Sequence, residues 1–193
     1  MVGVRIELHT PRLLLQAPDP AQAAEVADFY ARNRAHFARW SPPQPPDPEA
    51  SERALQALAD GRQAFVTGSA CRWWLALPQA PRRIIGSVHL SNIVRGPFQS
   101  AALGYALDTD CQGQGLMHEA LAAVLAEAFS PRLNLHRVQA AILPENVRSL
   151  AVAQRLKMHD EGLARDYLYI ASAWRDHRIF ALTNPDFVAP PDW

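Results

Sequence analysis

The pattern of apolar and polar positions changes character along the chain. Residues 12–16, with Leu13, Leu14 and Leu15, read as a first strand. Between 19 and 37, Ala24, Val26, Ala27, Phe29, Tyr30 and Phe37 recur at roughly helical spacing, and Asp19 with Pro20 supplies a cap and a first helical residue. Residues 40–50 hold five prolines, which predicts a stiff extended loop. The helical pattern returns over 48–61 and is expected to close at Gly61. Residues 72–78, 83–93 and 101–108 then read as strands joined by connections short enough to imply antiparallel pairs. A helix follows to about Phe129, where Ser130-Pro131 stops it. A strand at 136–143, a helix at 144–157 and two strands at 162–170 and 174–183 complete the chain.

This order predicts one α/β domain on a mixed sheet. The crossover from 101–108 through the helix to 136–143 is expected to be a right-handed βαβ unit with parallel strands. With 193 residues there is room for one domain with a substantial core, and two would be tight. Nineteen basic and nineteen acidic side chains cancel, which argues against binding nucleic acid through its phosphates. The two cysteines, Cys71 and Cys111, have no metal-ligand spacing, so no metal is expected and a reducing, cytoplasmic setting fits. No apolar run approaches the ~20 residues of a membrane span, and the first residues are too polar for a secretory leader.

The most informative local feature is a pair of glycines, Gly113 and Gly115, set where a strand gives way to a long helix. A helix start exposes unpaired N–H groups, and glycine lets a ligand approach the backbone closely. Together they suit an anion such as phosphate. The GxxxxGK[ST] pattern of nucleoside triphosphatases is absent, and His118 stands where a dinucleotide fingerprint needs a third glycine. The HExxH pattern begins at His118-Glu119 and fails at Ala122.

Residues 112–117, "QGQGLM", closely resemble the pyrophosphate loop of the GNAT acyltransferase superfamily. "ENVRSLAVAQRL" resembles the family segment that flanks the pantetheine arm of acetyl-CoA. With "LGYAL" at 103–107, Glu161-Gly162 and "DYLYIASAWRDH" at 166–177, the chain resembles the RimJ/RimL branch, the ribosomal-protein-alanine N-acetyltransferases. The resemblance runs over about residues 8–187 of a single 1–193 domain and implies the GNAT-like acyl-CoA N-acyltransferase fold: a mixed central sheet with antiparallel N-terminal strands, one parallel βαβ unit and flanking helices. It implies acetyl-CoA as co-substrate, with the backbone of Gln112, Gly113, Gln114, Gly115, Leu116 and Met117 on the pyrophosphate. It places Asn146 on the pantetheine arm, Ser149 near the thioester sulfur, and a backbone N–H around Ala106 and Leu107 on the thioester carbonyl. Asn146 and Ser149 are equally suited to cap the helix they begin. The chain departs from the family pattern at Met117, Cys111, Lys157 and Met158, and it has Ala102 where many relatives carry a glutamate base.

The remaining base candidates are His89 and Glu145, and His177 is placed to order the last strand. Neutralising a lysine at pH 7.5 costs roughly 4 kcal/mol, against well under about 1 kcal/mol for an α-amino group. An enzyme without a strong base is therefore expected to act on a protein N-terminus, such as that of a ribosomal protein. A small amine acceptor, a non-catalytic acyl-CoA-binding module and a nucleotide-dependent oxidoreductase are the alternatives, the last disfavoured by the missing third glycine. For a basic acceptor tail, Asp108, Asp110, Asp160, Glu161, Asp166 and Asp176 would form an acidic rim, and Trp40, Trp174 and the proline loop the walls of a slot. Monomer and homodimer are both compatible with a net charge of zero.

Overall fold

A computed structural model describes residues 7–42 and 50–190. Most of the expected proline loop, 43–49, lies outside them. The strands are β1 (Glu7–His9), β2 (Leu14–Gln16), β3 (Cys71–Ala76), β4 (Gly86–Val94), β5 (Ser100–Leu107), β6 (Arg137–Ile142), β7 (His159–Ile170) and β8 (Ala173–Thr183). The helices are α1 (Ala23–Arg32), α2 (Arg34–Phe37), α3 (Ala50–Thr67), α4 (Leu116–Ala128) and α5 (Val147–Arg155). The eight strands form one sheet in the order β1-β2-β3-β4-β5-β6-β8-β7, with the β5–β6 pair parallel and every other pair antiparallel.

Alternation along the central strands sorts side chains onto two faces. Cys71, Trp73, Leu75, Val88, Leu90, Leu103, Val138 and Ala140 face α4, whose Leu116, Met117, Ala120, Leu121, Val124 and Leu125 are buried against them. On the other face Trp74 and Ile84 pack with Val26, Phe29 and Phe37 of α1 and α2 and with Ala54 and Leu58 of α3.

Beyond shifts of up to three residues at the ends of several elements, three features differ from expectation. Strand β1 has only three residues and carries little periodicity of its own. The helix expected over 19–37 divides at Asn33, whose amide donates to the Phe29 carbonyl at 3.0 Å while its oxygen accepts from the backbone and hydroxyl of Thr109, each at 3.0 Å. Gly61 does not end α3, which continues to Thr67. A Cβ at Gly61 would sit 3.2 Å from Pro18 Cγ, so glycine here serves packing.

Candidate active site

Strand β5 pairs with β6 only from Ser100 to Ala102. Beyond Ala102 the two strands part, while β5 stays bonded to β4 and β6 to β8. The opening between them holds unused backbone groups. Asp108 N–H donates to the Ile85 carbonyl at 2.7 Å, on the β4 side. Strand alternation then turns the amides of Ala106 and Gly104 toward β4 and those of Leu107 and Tyr105 toward the opening. Of the two residues expected to present an N–H there, Leu107 faces the gap and Ala106 does not.

The chain leaves β5 through a short turn capped by Asp108 and reaches Gly113 and Gly115, both at φ 76°. A Cβ at Gly113 would meet nothing within 4 Å, so the backbone there is open to an approaching group. Gly115 caps α4 without a side-chain bond, and the first amide of the helix with a backbone partner is that of Glu119, 3.1 Å from the Gly115 carbonyl. Among the described residues the amides of Gly115, Leu116, Met117 and His118 have no acceptor. These donors and the positive end of a 13-residue helix suit a pyrophosphate. Met117 is 7% exposed and points into the core, so its bulk does not stand on the loop's open side.

Two side-chain systems hold the loop. Arg12, in the β1–β2 turn, donates to the Gln114 carbonyl at 2.9 Å and pairs with Glu119 at 2.6 Å. Thr10 also donates to Glu119 at 2.6 Å. Burial opposes the Glu119 charge, but the bonds from Thr10 and Arg12 outweigh it and hold the carboxyl below its usual range. On the other side, the Gln112 amide bridges His36 of α2, at 2.8 Å, and Arg148 of α5. Arg148 can only donate, so the Gln112 oxygen faces it and its NH2 faces His36, whose Nε2 must carry a lone pair. Burial, then Arg148 and Arg39, lower the His36 pKa and favour that neutral form.

Asn146 caps α5, its oxygen accepting the Ser149 N–H at 3.2 Å. Ser149 is half-buried, and its carbonyl accepts a long bond of 3.4 Å from the Tyr105 hydroxyl. Tyr105 was visible in the sequence only as part of "LGYAL". Its phenol thus links the parted strand to the start of α5, and burial raises its pKa more than that bond lowers it.

The two base candidates separate. Glu145 is exposed and paired with Arg175 of β8. His89 lies on β4 opposite Gly104, where a Cβ would fall within 3.0 Å of the ring. Burial, and then Arg72, push its pKa down to about 3. An imidazole that weakly basic cannot hold an ammonium proton near neutral pH, which suits it to orient rather than deprotonate. His177 is 2% exposed, bonds the Arg175 carbonyl at 2.9 Å and lies tilted against the Tyr167 ring, fixing the β7–β8 hairpin. Burial raises both thiols, Cys71 to about 11.

A cavity of about 990 Å³ lies between the sheet and α1–α3, lined by Tyr30, Phe37, Trp74, Arg72, His89 and, from the β7–β8 hairpin, Ser172, among others. Trp40 and Trp174 are not among its lining residues. Of the six carboxylates expected at an acidic rim, four are engaged by partners within the described residues. Asp108 is buried against Arg32 at 2.9 Å, Asp160 pairs with Arg178, Glu161 with Arg137, and Asp176 accepts the Asp166 N–H. Among the described residues no group of three or more His, Cys, Asp or Glu side chains could hold a metal ion, and no helix is long and apolar enough to cross a membrane.

Residues 12–159 match the acetyltransferase (GNAT) domain family. The chain is 36% identical to the [ribosomal protein uS5]-alanine N-acetyltransferase of Escherichia coli (strain K12) over 186 residues, covering 95% of this chain and 93% of that protein. The crystal structure of the ribosomal-protein-S5-alanine acetyltransferase from Vibrio fischeri superimposes with a TM-score of 0.89 at 31% identity, over 95% of this chain and 100% of that one. Mycobacterium smegmatis RimJ in complex with CoA-disulfide gives 0.80 at 26% identity, over 92% and 84%. The parted β5–β6 pair, the glycine loop and these similarities agree that the chain belongs to the GNAT acetyltransferase family.

Proposed function

We propose that the chain transfers acetyl from acetyl-CoA to the N-terminal α-amino group of a protein, of the ribosomal-protein-alanine type. The observation that carries this reading is the joining of three elements at one place. The unpaired amides of the α4 start, the capped start of α5 and the free edge of β5 all border the opening beyond Ala102. The 36% identity to a protein N-terminal acetyltransferase across nearly the whole chain supports the choice of acceptor.

In this reading the backbone from Gln112 to Met117 holds the pyrophosphate of acetyl-CoA, and Asn146 contacts the pantetheine arm. Bound acetyl-CoA supplies an activated acyl thioester. The Leu107 N–H, on the open side of β5, donates to the thioester carbonyl, in the manner of an oxyanion donor. The Ser149 hydroxyl, with no partner among the described residues, donates to the departing sulfur, and the Tyr105 phenol fixes the position of Ser149 through its carbonyl. No carboxylate stands at Ala102, and His89 is too weak a base. The acceptor therefore has to arrive largely neutral, as an α-amino group of pKa near 7.7–8.0 does at a small cost.

Thiol release from acetyl-CoA tests this. The panel comprises peptides beginning with Ala or Ser, the same peptides N-terminally blocked with an internal lysine, and small amines including spermidine and aminoglycosides. Release confined to free N-termini is expected. Turnover of small amines alone would keep the family chemistry and reject the acceptor.

A further inference from the structure

The sheet face that carries Trp74 also carries a cation without a counter-ion among the described residues. Arg72 precedes Trp74 by two residues on β3 and stands directly across from His89 on β4. Its guanidinium lies 5.5 Å from the Trp74 ring centroid. Among the described residues it forms no ion pair or hydrogen bond. By contrast Arg12, Arg32, Arg132, Arg137, Arg175 and Arg178 each hold a carboxylate.

Arg72, Trp74 and His89 line the same cavity. The Trp74 indole N–H and His89 Nδ1 are shielded from solvent and likewise have no partner among the described residues. Buried polar groups are nearly always satisfied, so a cluster of unmet groups marks where an incoming molecule brings its own. Asp60 is the only carboxylate among the described residues lining the cavity, and it already accepts from Gln56 at 2.8 Å. His89 stays neutral and adds no competing charge. A guanidinium half-buried beside aromatic rings attracts a carboxylate more strongly than one in open water, because less solvent screens the pair.

Position along the sheet sets the distance. Arg72 lies two strands from β5, roughly 10 Å, and Leu107 is three residues farther along than Gly104, roughly another 10 Å. The diagonal is about 14 Å, which an extended peptide covers in about four residues.

We propose that Arg72 reads an acidic side chain near the acceptor's N-terminus: with the amine at the open side of β5, a Glu or Asp at the third or fourth residue pairs with the guanidinium in the pocket made by Trp74 and Tyr30. This rests on the acceptor being a protein N-terminus. It replaces an acidic rim reading a basic tail with a half-buried cation reading an acidic one.

The test uses amidated hexapeptides beginning with Ala, with Glu, Gln or Lys at each of positions 2 to 5, against wild type, Arg72→Met and Arg72→Glu. Melting temperatures verify folding. Wild type should favour Glu over Gln on the order of tenfold in kcat/KM at position 3 or 4. Arg72→Met should erase that preference, and Arg72→Glu should transfer it to Lys-containing peptides. Equal rates for Glu and Gln at every position, or a preference that survives in Arg72→Met, overturns the proposal. Calorimetric titration with the same peptides separates it from the acetyl-transfer reading. Glu-selective binding without turnover keeps the carboxylate site and removes N-terminal acetylation, whereas binding without Glu selectivity removes the site.

Discussion

Gly104→Ala probes the seat of His89 directly. The added methyl would lie within 3.0 Å of Nε2 and Cε1 and 3.2 Å from Cδ2, so ring and methyl cannot share the space. Gly104 has no positive φ, so the cost is steric and not conformational. The ring must swing toward the cavity, away from the sheet. Overpacking of this kind costs typically about 1–3 kcal/mol. In a protein of this size that lowers Tm by roughly 2–4 °C per kcal/mol. The decisive experiment is a double-mutant cycle with His89→Ala, followed by urea unfolding. Without the ring the methyl has room, so the cost of Gly104→Ala should nearly vanish in the His89→Ala background, giving a coupling of about 1–3 kcal/mol. A single-variant cost under about 0.5 kcal/mol, or a strictly additive cycle, would refute the steric argument.

Other perturbations test separate parts of the molecule. Arg32→Met strips the partner from Asp108, which is 2% exposed, and should destabilise by about 3 kcal/mol at pH 7 in a denaturant titration. Gly115→Glu puts a carboxylate and a strained φ where an anion is expected, and calorimetry should show CoA binding weakened on the order of tenfold or more; unchanged affinity would remove the loop assignment. Lys157 occupies a left-handed position, φ 57°, in a Schellman ending where Lys157 N–H meets the Gln154 carbonyl and Met158 N–H that of Ala153. Lys157→Gly should therefore raise stability by up to about 1 kcal/mol, seen as a higher Tm. His89 has a folded pKa of about 3, below its ordinary 6.5, so the unfolded chain binds the extra proton and stability is lost as pH falls below 6.5. Between pH 6.5 and 4.5 the wild type should lose about 2 kcal/mol more than His89→Gln, and parallel stability profiles would contradict the buried neutral imidazole.

The central strands, the parallel crossover and the glycine join could be read from the sequence because each is governed by local periodicity or backbone freedom. The features that escaped it depend on partners far along the chain. Asn33 breaks a helix because Thr109 bonds to it, and Gly61 is a packing residue because Pro18 lies against it. Of the acidic side chains near the cleft, Asp108, Asp160 and Glu161 are committed to arginines that only the fold brings near, and Asp108 is the most deeply buried of them. Arg72 showed the reverse: in the sequence it is one arginine among many, and only the fold reveals that no carboxylate among the described residues pairs with it. For Asn146, the cap of α5 and the contact to the pantetheine arm were competing readings. The bond from Ser149 N–H fixes the first without occupying the rest of the side chain.

The clamp from Arg12 to Glu119 closes across 107 positions of sequence. Closing a loop that long carries an entropic penalty that only a formed sheet offsets. During synthesis the glycine loop therefore gains its final support late, after both its own segment and the first strands have found their places. The loop's readiness to hold an anion becomes a marker of completed folding, and a bound anion in turn protects the far N-terminal edge against fraying by mass action. A chain with a misplaced first hairpin could keep much of its core and still lack the stiffness that tight binding requires.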